Sequence, residues 1–194
     1  MKLGGESLKD TAEDLLFNKK LPLATYKSST FSLDKNSVTP LVMQTAIGQG
    51  NTLVSPAHMA FITCSIANGG VLMEPRLIDQ VVSTDGTLVK ETEKKAYKRL
   101  MTDNEAAVLG KLMENVVSYG TASALSGRGY TVAGKTGSAE FDEYGSSHSW
   151  FIGYSNVDDP DLVVAIIVEN GGTGSEAAVP IAEQIFDAYY YDKQ

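Results

Sequence analysis

The stretch VAGKTGSAE at residues 132–140, followed by WFIGY at 150–154, decides how this chain is read. Side chains alternate between faces along an extended strand, so the hydroxyls of Thr136 and Ser138 share one face. Gly137 stands between them without a side chain and lets another backbone come close to the strand edge. Two hydroxyls beside a bare edge suit an extended peptide ending in a carboxylate, which would join the sheet as an added strand. Lys135 places a positive charge next to that position, where it can stabilise an anion or lower the pKa of a nearby hydroxyl or amine. The backbone N–H of Ser138 is a candidate oxyanion donor for acyl transfer. Alone, a Lys-Thr-Gly triplet reads as an ordinary edge strand. Its surroundings argue for the functional reading.

Upstream, TDNEAAVLGKLMENVVSYG at 102–120 predicts a helix. Thr102 with Glu105 three residues on forms a capping box, and Gly120 ends the helix. Val108, Leu109, Leu112, Met113, Val116 and Val117 fall on one stripe, expected to face inward. Downstream, DEYGSS at 142–147 reads as a loop, SWFIGYSN at 149–156 as a second strand and DDPD at 158–161 as a turn. LVVAIIVEN at 162–170 reads as a third strand, apolar enough to be central. GGTGSE at 171–176 reads as a loop, and AVPIAEQIFDAYYY at 178–191 as a closing helix with Pro180 near its start. The order of helix, three antiparallel strands and helix gives an α+β fold, with the sheet packed between helices. KNSVTP at 35–40 leads into a helix starting at Pro40. Ser55 with Pro56 starts another, ended by Asn68-Gly69.

At this point the chain resembles the transpeptidase domain of penicillin-binding proteins, most closely the class B, monofunctional type. The resemblance rests on AIGQG at 46–50, VSPAHMAFITCSIANGG at 54–70, the hairpin PRLIDQVVSTDGTLVKE at 75–91, KTGSAE at 135–140 and HSWFIGY at 148–154. It covers nearly the whole chain. It implies a serine-type D,D-transpeptidase that cross-links peptidoglycan stem peptides ending in D-Ala-D-Ala and is trapped by β-lactams as an acyl-enzyme. Lys135, Thr136, Gly137 and Ser138 would then bind the terminal carboxylate, with Lys135 and the Ser138 N–H serving catalysis. The resemblance also implies a parent anchored on the outer face of the bacterial cytoplasmic membrane, and no cofactor.

Two of the family's three signature elements do not show themselves. The family's nucleophile is the Ser of S-x-x-K, and the one match in spacing here is Ser32-Leu-Asp-Lys35. A nucleophilic Ser needs a helix N-terminus and a buried Lys one turn on. Ser32 instead lies in the polar run YKSSTFSLDKNS, with no apolar helix directly after it, so it is read as a decoy. No S-x-N occurs, and Ser65-Ile-Ala-Asn68 has the wrong spacing. MKLGGESLKDTAEDLLF at 1–17 resembles the stretch just after the family's S-x-N helix. Met1 and Lys2 would be the last turn of that helix. Ser7 with Asp10 would cap the next, with Leu8, Leu15 and Leu16 inward. Residues 1–194 are therefore expected to be the C-terminal part of a transpeptidase domain, inactive alone and soluble. An unpaired sheet edge is expected to favour self-association.

Composition sets outer limits. The chain has 194 residues, 43% hydrophobic and 21% charged, the values of one globular domain. Sixteen bases against twenty-four acids give −8, which disfavours nucleic acid as a partner. No stretch approaches a membrane span or a signal peptide. Cys64 reads as a buried structural thiol beside Met59, Ile62 and Ile66, and one Cys permits no internal disulfide. His58 and His148 lack metal-ligand spacing, so no metal site is expected, and His148 reads as an exposed loop residue that could line the groove. Tyr189, Tyr190 and Tyr191 read as helix packing. Two alternatives compete. A class A serine β-lactamase needs an E-x-x-N, and none of the twelve Glu has Asn three residues later. A non-catalytic β-lactam sensor or binding domain would keep the sheet without the nucleophile, and S-x-x-K and S-x-N upstream in the reading frame would argue against it.

Overall fold

The computed structural model describes residues 4–23, 26–141, 145 and 147–191. Along the chain run helices α1 (Gly5–Asp14), α2 (Thr39–Ala46) and α3 (Pro56–Ala67), then strands β1 (Val71–Met73), β2 (Gln80–Val82), β3 (Leu88–Glu91) and β4 (Ala96–Arg99). Helix α4 (Asp103–Tyr119) precedes strands β5 (Val132–Glu140), β6 (Ser147–Ser155) and β7 (Leu162–Val168), and α5 (Val179–Tyr191) closes the chain. A 3-10 turn (Ser123–Leu125) follows α4, and a π-helical turn (Gly174–Ala178) leads into α5. The expected α+β class is what the chain adopts.

The main sheet is antiparallel in the order β5-β6-β7. The β5–β6 register runs unbroken from Val132 opposite Ser155 to Glu140 opposite Ser147. Its two faces carry two separate cores. Val132, Phe151 and Val164 pack with Ala182 and Phe186 of α5. On the other face Ala133 and Tyr154 pack with Ala12, Ile62, Ile66 and Met113 from the helices and with Phe17 from the turn after α1. The sheet is thus buried between two layers of helix, which removes the apolar side chains of both faces from water.

Several expectations need correction. The apolar run of β7 reads as central, but among the described residues β7 is an outer strand. Val164 is buried and the other residues of β7 are half-buried because α3 and α5 both lie against the strand. On α4 the capping box of Thr102 and Glu105 forms as expected, but the buried face is Ala106, Gly110, Met113 and Val117. Val108, Leu109 and Leu112 are exposed. The cause is close approach: a Cβ on Gly110 would lie 2.8 Å from the Tyr154 hydroxyl, so small residues set the contact. Ser7 does not cap α1. The helix starts at Gly5 behind Gly4, because a side chain at Gly5 would meet the Asp34 carbonyl at 2.4 Å. Leu16 is buried, and Leu8 and Leu15 are half-buried. The 171–176 loop is partly helical, with Thr173 and Glu176 forming a second capping box. Asp142, Glu143, Tyr144 and Ser146 of the expected DEYGSS loop lie outside the described residues, as do Met1 and Lys2.

Other expectations hold. Ser55 caps α3, its Oγ accepting from the His58 N–H at 3.3 Å, with Pro56 in the first turn. Pro40 sits in the first turn of α2. Tyr190 stacks on Tyr130 at 4.6 Å, and the Tyr191 hydroxyl accepts from the Gly129 N–H at 3.0 Å, so these tyrosines do pack. Cys64 is partly buried, and desolvation pushes its thiol pKa up. The hairpin at 75–91 forms as β2 and β3, and it stands away from the body with every residue of both strands exposed. Its neck is the short antiparallel pair β1–β4, which the sequence reading did not include.

His58 is fully buried against Phe17, with ring centroids 4.8 Å apart. Its Nε2–H donates to the Leu15 carbonyl at 2.7 Å, and Nδ1 has no partner. Desolvation lowers its pKa, partly opposed by the Leu15 bond. The unfolded chain then takes the proton more readily, so stability should fall as pH drops below the ordinary value of about 6.5 and be flat from this cause above it. His58→Phe should remove that component while costing on the order of 1–3 kcal/mol at pH 8 for the stranded Leu15 carbonyl. Urea unfolding of both proteins from pH 8 to pH 5 checks this; parallel curves would refute it.

Among the described residues β7 has no strand on its outer edge. Unpaired edge N–H and C=O groups invite pairing with another chain. Self-association is expected at high concentration, and light scattering that shows a strict monomer at millimolar protein would count against it.

Candidate active site

The β5–β6 ladder positions the site residues. Lys135 lies opposite Ile152, Thr136 opposite Phe151, Gly137 opposite Trp150 and Ser138 opposite Ser149. The structure therefore brings all four candidate residues to one stretch of β5, whose outer edge carries no other strand among the described residues. Lys135 and Gly137 face a groove of about 480 Å³, walled by Ile47, Gly48, Val54, Met59, Trp150 and Ile152. A second hollow of about 720 Å³ continues it past Ala139, lined by Gln44, Gln49, Glu140, Phe141 and His148. Val54, Ala139 and Trp150 border both, so they form one groove along β5. A Cβ at Gly137 would sit 3.3 Å from that of Trp150, so the missing side chain keeps the groove floor low.

Thr136 and Ser138 share a face as expected, but it is the face opposite the Lys135 side chain. Thr136 is buried and its hydroxyl is hydrogen-bonded to that of Thr121, in the Gly-Thr-Ala turn after α4. Ser138 Oγ is exposed and accepts from the Gly174 N–H at 3.4 Å. Gly174 fits there because it is bare: a Cβ would lie 2.6 Å from the Trp150 carbonyl and 2.8 Å from Thr136 Cβ. Ser149 holds the same turn, donating to the Thr173 carbonyl at 2.7 Å and accepting from the Ala178 N–H at 3.0 Å.

The Lys135 ammonium is exposed and donates to the Thr136 carbonyl at 2.6 Å. The Gln49 side-chain amide donates to the Ser138 carbonyl at 3.1 Å. His148 is not an exposed loop residue. It belongs to β6, half-buried, its ring stacked on Phe141 at 4.3 Å, with Nδ1 accepting from the Asn170 N–H at 3.2 Å. Stacking and the strand hold it as a wall of the groove. Ser32 and Lys35 are exposed on non-helical backbone, so Ser32 lacks the helix N-terminus and buried amine that activation needs. Among the described residues no cluster of His, Cys, Asp or Glu is placed to hold a metal.

Sequence reasoning missed Thr121, Gly174 and Gln49. The only signals were their small-residue neighbourhoods, Gly-Thr-Ala, Gly-Gly-Thr-Gly and Gly-Gln-Gly, which mark tight backbone without naming a partner.

The family model for the penicillin-binding protein transpeptidase domain matches residues 1–187. The peptidoglycan D,D-transpeptidase PbpA of Mycolicibacterium smegmatis is 32% identical over 147 residues, covering 70% of this chain and 29% of that protein. PbpA of Mycobacterium tuberculosis is 30% identical over 152 residues, covering 74% of this chain and 31% of its own length. The chain thus spans about a third of the length of these curated relatives. Penicillin-binding protein A of M. tuberculosis, solved as an imipenem acyl-enzyme complex, matches with a TM-score of 0.80 at 26% identity, over 94% of this chain and 41% of that one. With the Lys-Thr-Gly-Ser strand on an open edge and a family match along almost its whole length, the chain belongs to the transpeptidase domain family of the class B penicillin-binding proteins.

Proposed function

We propose that this chain supplies the substrate-binding strand and groove of a serine D,D-transpeptidase that cross-links peptidoglycan stem peptides. The observation that carries the reading is Lys135-Thr136-Gly137-Ser138 on the open edge of β5, above the groove. The nucleophilic Ser and the S-x-N element belong, on this reading, to another part of the parent protein. That Ser attacks the carbonyl of the penultimate D-Ala. The tetrahedral oxyanion collapses, the terminal D-Ala leaves with a proton, and an acyl-enzyme forms. The amine of a neighbouring stem peptide then attacks the ester, and the Ser leaves with its proton restored. The Ser138 N–H faces the developing oxyanion. The Thr121 and Thr136 hydroxyls are hydrogen-bonded to each other, which fixes the Thr136 side chain, and Lys135, Thr136, Gly137 and Ser138 together bind the terminal carboxylate.

β-Lactams would enter the same groove and acylate the same Ser, as their strained amide stands in for the D-Ala-D-Ala bond. The relative from M. tuberculosis forms such acyl-enzymes. No helix among the described residues is long and apolar enough to cross a membrane. On this reading the parent protein is anchored on the outer face of the bacterial cytoplasmic membrane.

Incubation of this chain with a fluorescent penicillin, followed by intact mass measurement, should show no stoichiometric adduct. An adduct on Ser32 would overturn both its reading as a decoy and the assignment of the nucleophile elsewhere. In a protein that carries this chain together with the acylated Ser, Lys135→Ala should slow acylation by about two to three orders of magnitude, the scale of one preorganised electrostatic group. Lys135→Arg should recover only part, since a planar fork does not replace a compact ammonium. Stopped-flow acylation by a penicillin tests this, and wild-type rates in the alanine variant would remove Lys135 from the chemistry.

A further inference from the structure

In an antiparallel ladder, alternate residues send their N–H and C=O to the same side. The Gly137 N–H and the Trp150 carbonyl lie together, both within 2.9 Å of the Cβ position that Gly174 lacks, so Gly137 directs its main chain to β6. Thr136 and Ser138 therefore turn theirs to the open edge. Both of those outer carbonyls already have donors, and both donors are side chains. Thr136 O receives the neighbouring Lys135 ammonium. Ser138 O receives Gln49 Nε2, from a residue 89 positions earlier in the chain.

Gln49 is held for this contact. It sits between Gly48 and Gly50, whose φ values of 84° and 81° let the chain turn sharply after α2, and its N–H donates to the Gln44 carbonyl at 2.9 Å. Gln49 is half-buried and lines the second hollow, which shares Val54, Ala139 and Trp150 with the first.

We propose that Gln49 is a side-chain substitute for a ligand N–H: it occupies the edge acceptor Ser138 O, and a peptide pairs with β5 only by exchanging its own N–H for the Gln49 amide. This rests on the reading of β5 as the ligand-binding strand. A ligand residue directly opposite Ser138 in a hydrogen-bonded pair gives its carbonyl to the Ser138 N–H and its N–H to the Ser138 carbonyl. That residue is the one whose carbonyl is attacked. Gln49 thus contests the N–H of the penultimate residue and of no other. A ligand that brings this N–H replaces the bond one for one. A ligand with an ester oxygen there strands a carbonyl that Gln49 had satisfied. Gln49 is accordingly a specificity residue for chains N-acylated at the penultimate position.

The test uses the ¹⁵N-labelled chain titrated with N-acetyl-L-Lys-D-Ala-D-Ala, and with its analogue carrying D-lactate at the penultimate position. The peptide should shift the Gln49 side-chain amide resonances. Gln49→Met keeps the stem and removes the donor, and Gln49→Ala removes both. Each should bind the peptide about three- to tenfold more tightly than wild type, the range of one net hydrogen bond. The ester analogue should bind wild type about tenfold or more weakly than the peptide, the scale of one stranded acceptor. Peptide binding of equal strength in all three proteins with unmoved Gln49 resonances overturns the proposal and leaves the β5 reading standing. Weaker binding in both variants overturns it too, since Gln49 would then be a ligand contact. Equal affinity for peptide and ester overturns the pairing on which the exchange depends. No binding to any of the three proteins overturns both the proposal and the β5 reading.

Discussion

The ring of Phe151 fixes the register from which the site follows. It is fully buried and lies across two glycines, Gly134 on β5 and Gly153 on its own strand. A Cβ at Gly134 would meet the ring at 2.4 Å, and one at Gly153 at 2.8 Å. Only this alignment gives the ring its place, and a slip by one residue would turn every side chain of β5 to the wrong face. With the register set, Lys135 and Gly137 face the groove while Thr136 and Ser138 face the Gly174 turn. The chemistry of the strand is therefore divided between its two faces and its outer edge, and the outer edge is where the carbonyls of Thr136 and Ser138 are presented.

The layer beneath is held by polar as well as apolar contacts. Arg128 pairs with Glu183 and Asp187 of α5, and the Tyr130 hydroxyl donates to Asp187 at 2.6 Å. Tyr190, between Ser155 and Asp161, ties α5 to the ends of β6 and β7, and burial first, then Asp161, pushes its pKa up to about 12. These contacts fasten α5 and the turn preceding it against the sheet. Because that turn touches Thr136 and Ser138 directly, fastening the helix also fixes the site strand from behind. A site on a strand supported in this way has little freedom to drift out of its geometry.

Much of the site was legible because its signals are local. The two-residue spacing of Thr136 and Ser138, the Thr102–Glu105 capping box and the Ser55 cap each need only a few neighbouring residues to read. What was not legible depends on approach between distant segments. The inward face of α4 is chosen by Ala106 and Gly110, whose smallness lets the helix reach Tyr154, so the larger Val108, Leu109 and Leu112 mislead a count of apolar residues. Gly5 sets the start of α1 through contact with Asp34, and no capping residue marks it. β7 is as apolar as a central strand because helices cover both its faces, which composition cannot separate from strands on both its sides. Gln49 and Thr121 belong to the site only through hydrogen bonds to β5, and neither has a spacing rule to announce it.

The exposed hairpin of β2 and β3 has a further meaning once its neck is considered. β1 and β4 bring Val71 beside Arg99, so residues 74–95 leave the body and return to it at nearly one point. The entropy of closing such an excursion grows only slowly with its length. Because the hairpin strands bury nothing against the sheet, lengthening or trimming them would leave the two cores and the groove untouched. The fold thus contains a module whose size is free to vary among descendants of this sequence, while the β1–β4 clasp keeps that variation from reaching the site.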